Sequence, residues 1–296
     1  MAATSLVIVR AGDTSLHSRW IAEPHPEWDL AVSYFGDETE RTFGEAAFAS
    51  CCKGGKWDGI HAFLREHPHV LEHYRYFWLP DDDILTDAGT ITRMFRDMDR
   101  HSLELAQPAL TFDSYFSTPI TLSNPLFAVR YTTMVEIMAP VLDVALLKKM
   151  LPHFAETQSG FGLDYVWHRL TSDPRRKAAI LDDVSMTHTR PIGSALAINM
   201  QRGGRDAEQE RERTTAKWNV SEYHAVAFSG RLRDGRMLST QAGCALYQVL
   251  GLAKQFHRTR WDGRVHRSTL WKYYRLVRYG LSQVRYTPDL SQLDPL

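Results

Sequence analysis

The chain has 296 residues, 44% of them hydrophobic and 24% charged, and its 35 Lys and Arg balance its 35 Asp and Glu. That length allows one large domain or two small ones, and the composition is that of a soluble globular protein with a sizeable core. Three cysteines, Cys51, Cys52 and Cys244, make a poor disulfide framework and offer no C-x-x-C zinc spacing, which points to a reducing compartment.

The first apolar run, residues 6–9, has no basic segment before it and is too short for a signal peptide. It reads as a central strand. No stretch approaches the ~20 apolar residues of a membrane span, so the expected location is cytoplasmic. A polar loop follows at Arg10-Ala11-Gly12-Asp13, then a second strand at 29–35 and a flexible basic loop at Lys53-Gly54-Gly55-Lys56. A helix begins over 61–66, and residues 74–79 form a strand that runs into Asp81-Asp82-Asp83. Residues 91–100 are helical, 105–110 extended, and 131–138 β-branched and apolar up to Pro140. A helix over 144–151, a turn at 160–164, a helix over 165–170 and a strand at 178–181 leading to His188 complete this part. Alternating strands and helices predict an α/β fold with a mostly parallel sheet, flanked by helices. In such sheets ligands bind beyond the carboxyl ends of the strands.

The segment 201–214 is charged and carries two glycines, which predicts a mobile loop that could fold over a ligand. Residues 241–256 read as a helix, and Leu270, Tyr274, Val277 and Leu281 form one apolar stripe at helical spacing. The division expected is a catalytic domain over 1–200 and a helical extension over 201–296 packed on it.

Three adjacent carboxylates repel one another unless water or a cation neutralises them. Oxygen-rich clusters suit Mg²⁺ and Mn²⁺. The competing reading is a solvated acidic turn that caps the following helix. Asp164 has two readings as well: a carboxylate at a glycine-rich turn that takes a proton, or the N-cap of the helix after it. Lys56 could meet a phosphate or simply be solvated, and its Gly-Gly-Lys lacks P-loop spacing. From Lys254 to Arg285 nine basic residues stand against one acid, Asp262, with Trp and Tyr interleaved. This predicts a helix packed on the main domain, contact with a membrane surface or nucleic-acid binding.

The order of six segments resembles a GT-A glycosyltransferase, and more closely the uncharacterised glycosyltransferase-like family catalogued as domain of unknown function 707. They are Leu6-Val-Ile-Val-Arg-Ala-Gly-Asp13, Tyr76-Phe-Trp-Leu-Pro-Asp-Asp-Asp-Ile84, Ala106-Gln-Pro-Ala-Leu110, Val135-Glu-Ile-Met-Ala-Pro140, Gly160-Phe-Gly-Leu-Asp164 and Met186-Thr-His188. The resemblance implies a GT-A-like fold and a metal-dependent, inverting transfer of sugar from a nucleoside diphosphate to a hydroxyl on a glycan, polysaccharide or lipid-linked acceptor. Asp81 and Asp83 would hold Mn²⁺ or Mg²⁺, with Asp82 as an alternative register and His188 as a third ligand. Asp164 would be the general base, with Glu136 as a second candidate or an acceptor-orienting group. Arg10, Ala11, Gly12, Asp13, Lys56, Asp81 and Asp82 would face the donor. Leu163 departs from the pattern, since many relatives carry an acid there. A lipid-linked acceptor would place the enzyme at the inner face of the membrane, with nucleic acid the less favoured partner. Other readings are a Mg²⁺-dependent phosphoryl-type hydrolase and a binding protein that kept the fold.

Overall fold

Strand β1 (Ser5–Ala11) is buried at all seven positions, as a strand covered on both faces must be. Its side chains alternate between two cores. Val7, Val9 and Ala11 pack with the helix α4 (Ala88–Arg100) through Ile91, Met94 and Phe95. Leu6 and Ile8 pack with α2 (Lys56–Glu66) and α5 (Val144–Phe154) through Ile60, Phe63, Leu146 and Leu147. The result is a central sheet between two helical layers. Each fully buried Leu, Ile or Phe contributes roughly 1.5–3 kcal/mol, so these layers hold the molecule and its three free cysteines are not needed for it. The computed structural model describes residues 3–22, 27–38, 42–192, 206–220, 224–255 and 266–281.

The remaining strands are β2 (Trp28–Tyr34), β3 (Phe48–Cys51), β4 (Tyr76–Trp78), β5 (Ile84–Leu85), β6 (Leu105–Leu110), β7 (Phe127–Thr132), β8 (Val141–Asp143), β9 (Ala178–His188), β10 (Ala227–Leu232) and β11 (Met237–Leu238). The long sheet runs β11-β10-β7-β9-β6-β8-β4-β1-β2-β3, and β5 pairs with β9. The pairings leave only β7, β8 and β11 of that path running against the other strands. This is the mixed, mostly one-directional α/β sheet expected. The carboxyl ends of β1, β2, β4 and β9 therefore open on one edge.

Short helices α1 (His17–Trp20), α3 (Val70–His73) and α6 (Leu163–Val166) join these elements. After them come α7 (Ala207–Lys217), α8 (Gln241–Gln255) and α9 (His266–Leu281).

Several expectations shift. The basic loop at 53–56 does not stay a loop through Lys56, because α2 begins there with Gly55 as its extended N-cap. The apolar run 131–138 leaves the sheet after Thr132. Its backbone oxygens are met by side chains instead: Val135 O accepts from Trp167 Nε1 at 3.0 Å and Ile137 O from Lys56 Nζ at 2.6 Å. Part of the charged segment 201–214 is helix α7, while 201–205 lie outside the described residues. The sheet does not break near residue 200, since β10 pairs with β7.

That continuity is clamped by an ion pair. Arg130 on β7 and Asp182 on β9 are both fully buried and meet through Nε–Oδ2 at 2.7 Å and Nη2–Oδ1 at 2.8 Å. Arg130 also donates to Gln248 Oε1 of α8 at 3.1 Å, and Asn124 Nδ2 donates to the Gln248 carbonyl. Removing one member strands the other charge in a dry core. Arg130→Met should therefore lose about 3–5 kcal/mol in chemical denaturation, and adding Asp182→Leu should recover much of it.

Candidate active site

The aspartate triplet is held by its backbone before any side chain acts. Asp81 N–H donates to Met138 O at 2.7 Å, Asp82 O accepts from Leu16 N–H at 2.7 Å, and Asp83 O accepts from both the N–H and the hydroxyl of Thr189. The triplet thus spans the gap from β4 to β5. Because β5 pairs with the end of β9, Ile84 lies opposite His188. Sheet register therefore brings a histidine to the triplet from a hundred residues away.

The side chains diverge. Asp81, Asp83 and His188 each present a ligand atom, all within 4.8 Å of one another. His188 Nε2 lies 3.1 Å from Asp83 Oδ2, and its Nδ1 lies 2.8 Å from the Tyr115 carbonyl. A carbonyl on Nδ1 fixes the tautomer with the proton there and directs Nε2 to the cluster. Burial pushes the His188 pKa down, but Asp83 outweighs it and the net shift is upward. Asp82 turns away. It accepts from Gly12 N–H at 2.9 Å and from Arg190 Nη1 at 2.8 Å, and its pKa is raised by burial against both donors. Asp83 is buried, yet its Oδ1 has no hydrogen-bond partner. An orphan carboxylate oxygen costs several kcal/mol unless a ligand meets it. Two carboxylates and an imidazole, with that oxygen open, fit Mn²⁺ or Mg²⁺.

Lys56 supplies the cation on the other flank. Its Nζ reaches Asp81 Oδ1 at 2.7 Å and the carbonyls of Ile137 and Met138 at 2.6 and 3.1 Å. Burial lowers its pKa against the pull of Asp81.

These groups line a cavity of about 680 Å³, within the range of ligand pockets. Arg10 also lines it. Its guanidinium donates to the carbonyls of Ser33, Cys52, Gly54 and Gly55, so it fixes the loop that starts α2. Ala11, Gly12 and Asp13 are not among the lining residues. Asp13 accepts from the Tyr34 hydroxyl and from Asp37 N–H, bracing the turn after β2. Phe35, at the end of β2, faces the cavity with Arg10 5.1 Å from its ring centre.

Asp164 and Glu136 line the cavity too. Asp164 is not the N-cap. Gly162 is, at φ +95°, a left-handed conformation that favours glycine. Asp164 sits one residue inside α6, its pKa raised to about 7 by burial and then by Glu136. Glu136 is buried with one oxygen taken by the Ser117 hydroxyl and Oε2 without a partner, and burial raises its pKa. The turn before Asp164 is clamped by Glu210 of α7, which accepts from the hydroxyls of Thr157 and Ser159 and from the N–H groups of Gln158 and Ser159. Arg211 beside it lines the cavity.

Sequence reasoning did not single out Arg190, Phe35, Arg211 or Glu210. Arg190 follows His188 by two residues, a signal that a search of the strand's end could have found. Glu210 lies in a run of charge that gives none.

No protein-family model matches the chain, and no curated protein matches it. Among solved structures the chain is similar to the following three. TarS from S. aureus in complex with UDP-GlcNAc is 10% identical with a TM-score of 0.47, over 93% of this chain and 79% of that one. TarS 1-349 with UDP is 12% identical with a TM-score of 0.42 over 63% of this chain, which spans only 59% of the TarS chain. A mannosyltransferase from Pyrobaculum calidifontis with GDP-Man and Mn²⁺ is 11% identical with a TM-score of 0.41, over 95% and 84%.

Proposed function

We propose that this protein is a GT-A-like glycosyltransferase that moves a sugar from a nucleoside diphosphate to a hydroxyl acceptor. The observation that carries the reading is a single cavity with two kinds of carboxylate site. One wall holds Asp81, Asp83 and His188 with an oxygen left open; elsewhere Asp164 stands half-buried and inclined to hold a proton. A bound Mn²⁺ or Mg²⁺ would supply charge to the departing diphosphate. The chain's own residues do the rest. Lys56 and Arg190 place positive charge beside the aspartates, where a diphosphate would lie. Phe35 offers a flat ring at the rim for a base. Asp164 takes the proton of the acceptor hydroxyl as its oxygen bonds to the sugar C1. The bond from C1 to the diphosphate oxygen breaks, and the diphosphate leaves with the electron pair. This one-step course inverts C1. The fit to the domain of unknown function 707 rests on the sequence motifs alone.

The test is a panel of nucleoside diphosphates and their sugars with Mn²⁺ or EDTA. One of them should raise the melting temperature only with Mn²⁺, through linkage, and the matching sugar donor should be hydrolysed slowly. Stabilisation by Mn²⁺ with release of phosphate from a phosphate ester would favour a hydrolase instead.

A further inference from the structure

The C-terminal helix pair carries a surface that the cavity does not use. Helix α9 packs on α8 by close approach: a Cβ on Gly280 would lie 2.7 Å from that of Ala245, and Gln241 Nε2 donates to the Tyr279 carbonyl. Leu276 and Gly280 face inward and Lys272 is half-buried near the Phe116 ring. Trp271, Tyr274, Arg278 and Leu281 recur at helical spacing on the opposite face. Trp271 is 56% exposed, Tyr274 51% and Leu281 59%, and the two rings stack 5.1 Å apart. Tyr274 and Leu281 of the apolar stripe read from the sequence lie on this outward face. On α8, Leu246 and Leu250 are 56% and 47% exposed and Val249 lies between them. Neither helix contains an Asp or Glu, whereas Lys254, Arg275 and Arg278 are exposed.

We propose that these outer faces of α8 and α9 form a docking surface for an anionic lipid bilayer. Exposed Leu beside Trp and Tyr, with Arg and Lys and no acid on either helix, is the pattern of an element lying in the headgroup layer. Three observations favour that occupant. Leu246, Val249, Leu250 and Leu281 add exposed aliphatic area, which a bilayer buries and which base stacking and phosphate contacts leave unused. A second copy packed about a two-fold axis on this face would bring together the arginines of both copies with no acid on either helix to pair them. No described helix is long and apolar enough to cross a membrane, so the contact is interfacial. Helix α9 itself also packs on the 3₁₀ turn Pro119–Thr121, next to cavity-lining Ser117 and Thr118. Bilayer contact needs no donor or acceptor, so this inference stands or falls apart from the proposed reaction.

The test is flotation of the full chain with vesicles of phosphatidylcholine alone and of phosphatidylcholine with phosphatidylglycerol. Binding is expected only with phosphatidylglycerol and should weaken as salt rises. Arg275→Gln with Arg278→Gln should lower the partition coefficient by about fivefold per charge. Trp271→Ser with Tyr274→Ser should abolish flotation while circular dichroism and melting temperature stay as in the wild type, because both rings are solvent-exposed. The inference is overturned by no flotation with phosphatidylglycerol, by equal binding to both vesicles, or by variants that bind as the wild type does. Retention of an oligonucleotide without vesicle binding, or a dimer that Trp271→Ser with Tyr274→Ser dissociates without vesicle binding, overturns it as well.

Discussion

Asp83→Asn should abolish metal-dependent turnover: we expect a fall of about a thousandfold, or ~4 kcal/mol of transition-state stabilisation. Asp83 is the most buried carboxylate of the triplet, it shares the cluster with Asp81 and His188, and its Oδ1 has no protein partner. The variant keeps the shape but removes the charge. The wild type should gain melting temperature with Mn²⁺, and the variant should gain none. The comparison with Asp82→Asn is informative. Asp82 already bonds to Gly12 N–H and Arg190, so its loss should loosen the loop after β1 and leave the Mn²⁺ response in place. Equal loss of Mn²⁺ response in the two variants would refute the division of the triplet.

The triplet was legible because a strand and a cluster of like charge are both local signals. His188 was legible only by its place after a strand; what seats it is the β5–β9 pairing, a long-range contact with no local signature. The run 131–138 misled because burial rewards apolar residues equally in a strand and in a loop whose carbonyls are met by Trp167 and Lys56. Helix α7 was hidden because its charges look solvated, and only tertiary contact shows Glu210 serving four donors at the turn 157–160. Which face of α9 packs was left open by the sequence because small residues decide it: Gly280 against Ala245 sets the close approach, and glycine has no hydrophobic signal. Arg10 was placed at the donor by the resemblance; what no local signal showed is that its guanidinium also bonds the carbonyls of Gly54 and Gly55, which lead into Lys56.

Asp164→Asn carries the second large effect. If Asp164 is the base, kcat should fall about 10²- to 10⁴-fold with donor-induced thermal stabilisation retained. The wild-type rate should rise with pH through about 7, where Asp164 loses its proton, and the variant should lack that limb. Burial is the larger cause of this raised value and Glu136 the second, so Glu136→Gln should move the limb to lower pH. A limb that persists in Asp164→Asn and vanishes in Glu136→Gln would make Glu136 the base. Stability supplies an independent check of the same group. A carboxyl whose folded pKa lies above its unfolded value favours folding while protonated, and that contribution is lost as pH rises through the folded pKa. Asp164→Asn should therefore melt with the wild type at pH about 4 and above it at pH about 8. The same buried charge that destabilises the fold at high pH is the one that makes the carboxylate basic enough to take a proton near neutrality, so loss of activity with gain of stability in one variant is the signature expected of a base held at a cost to the fold.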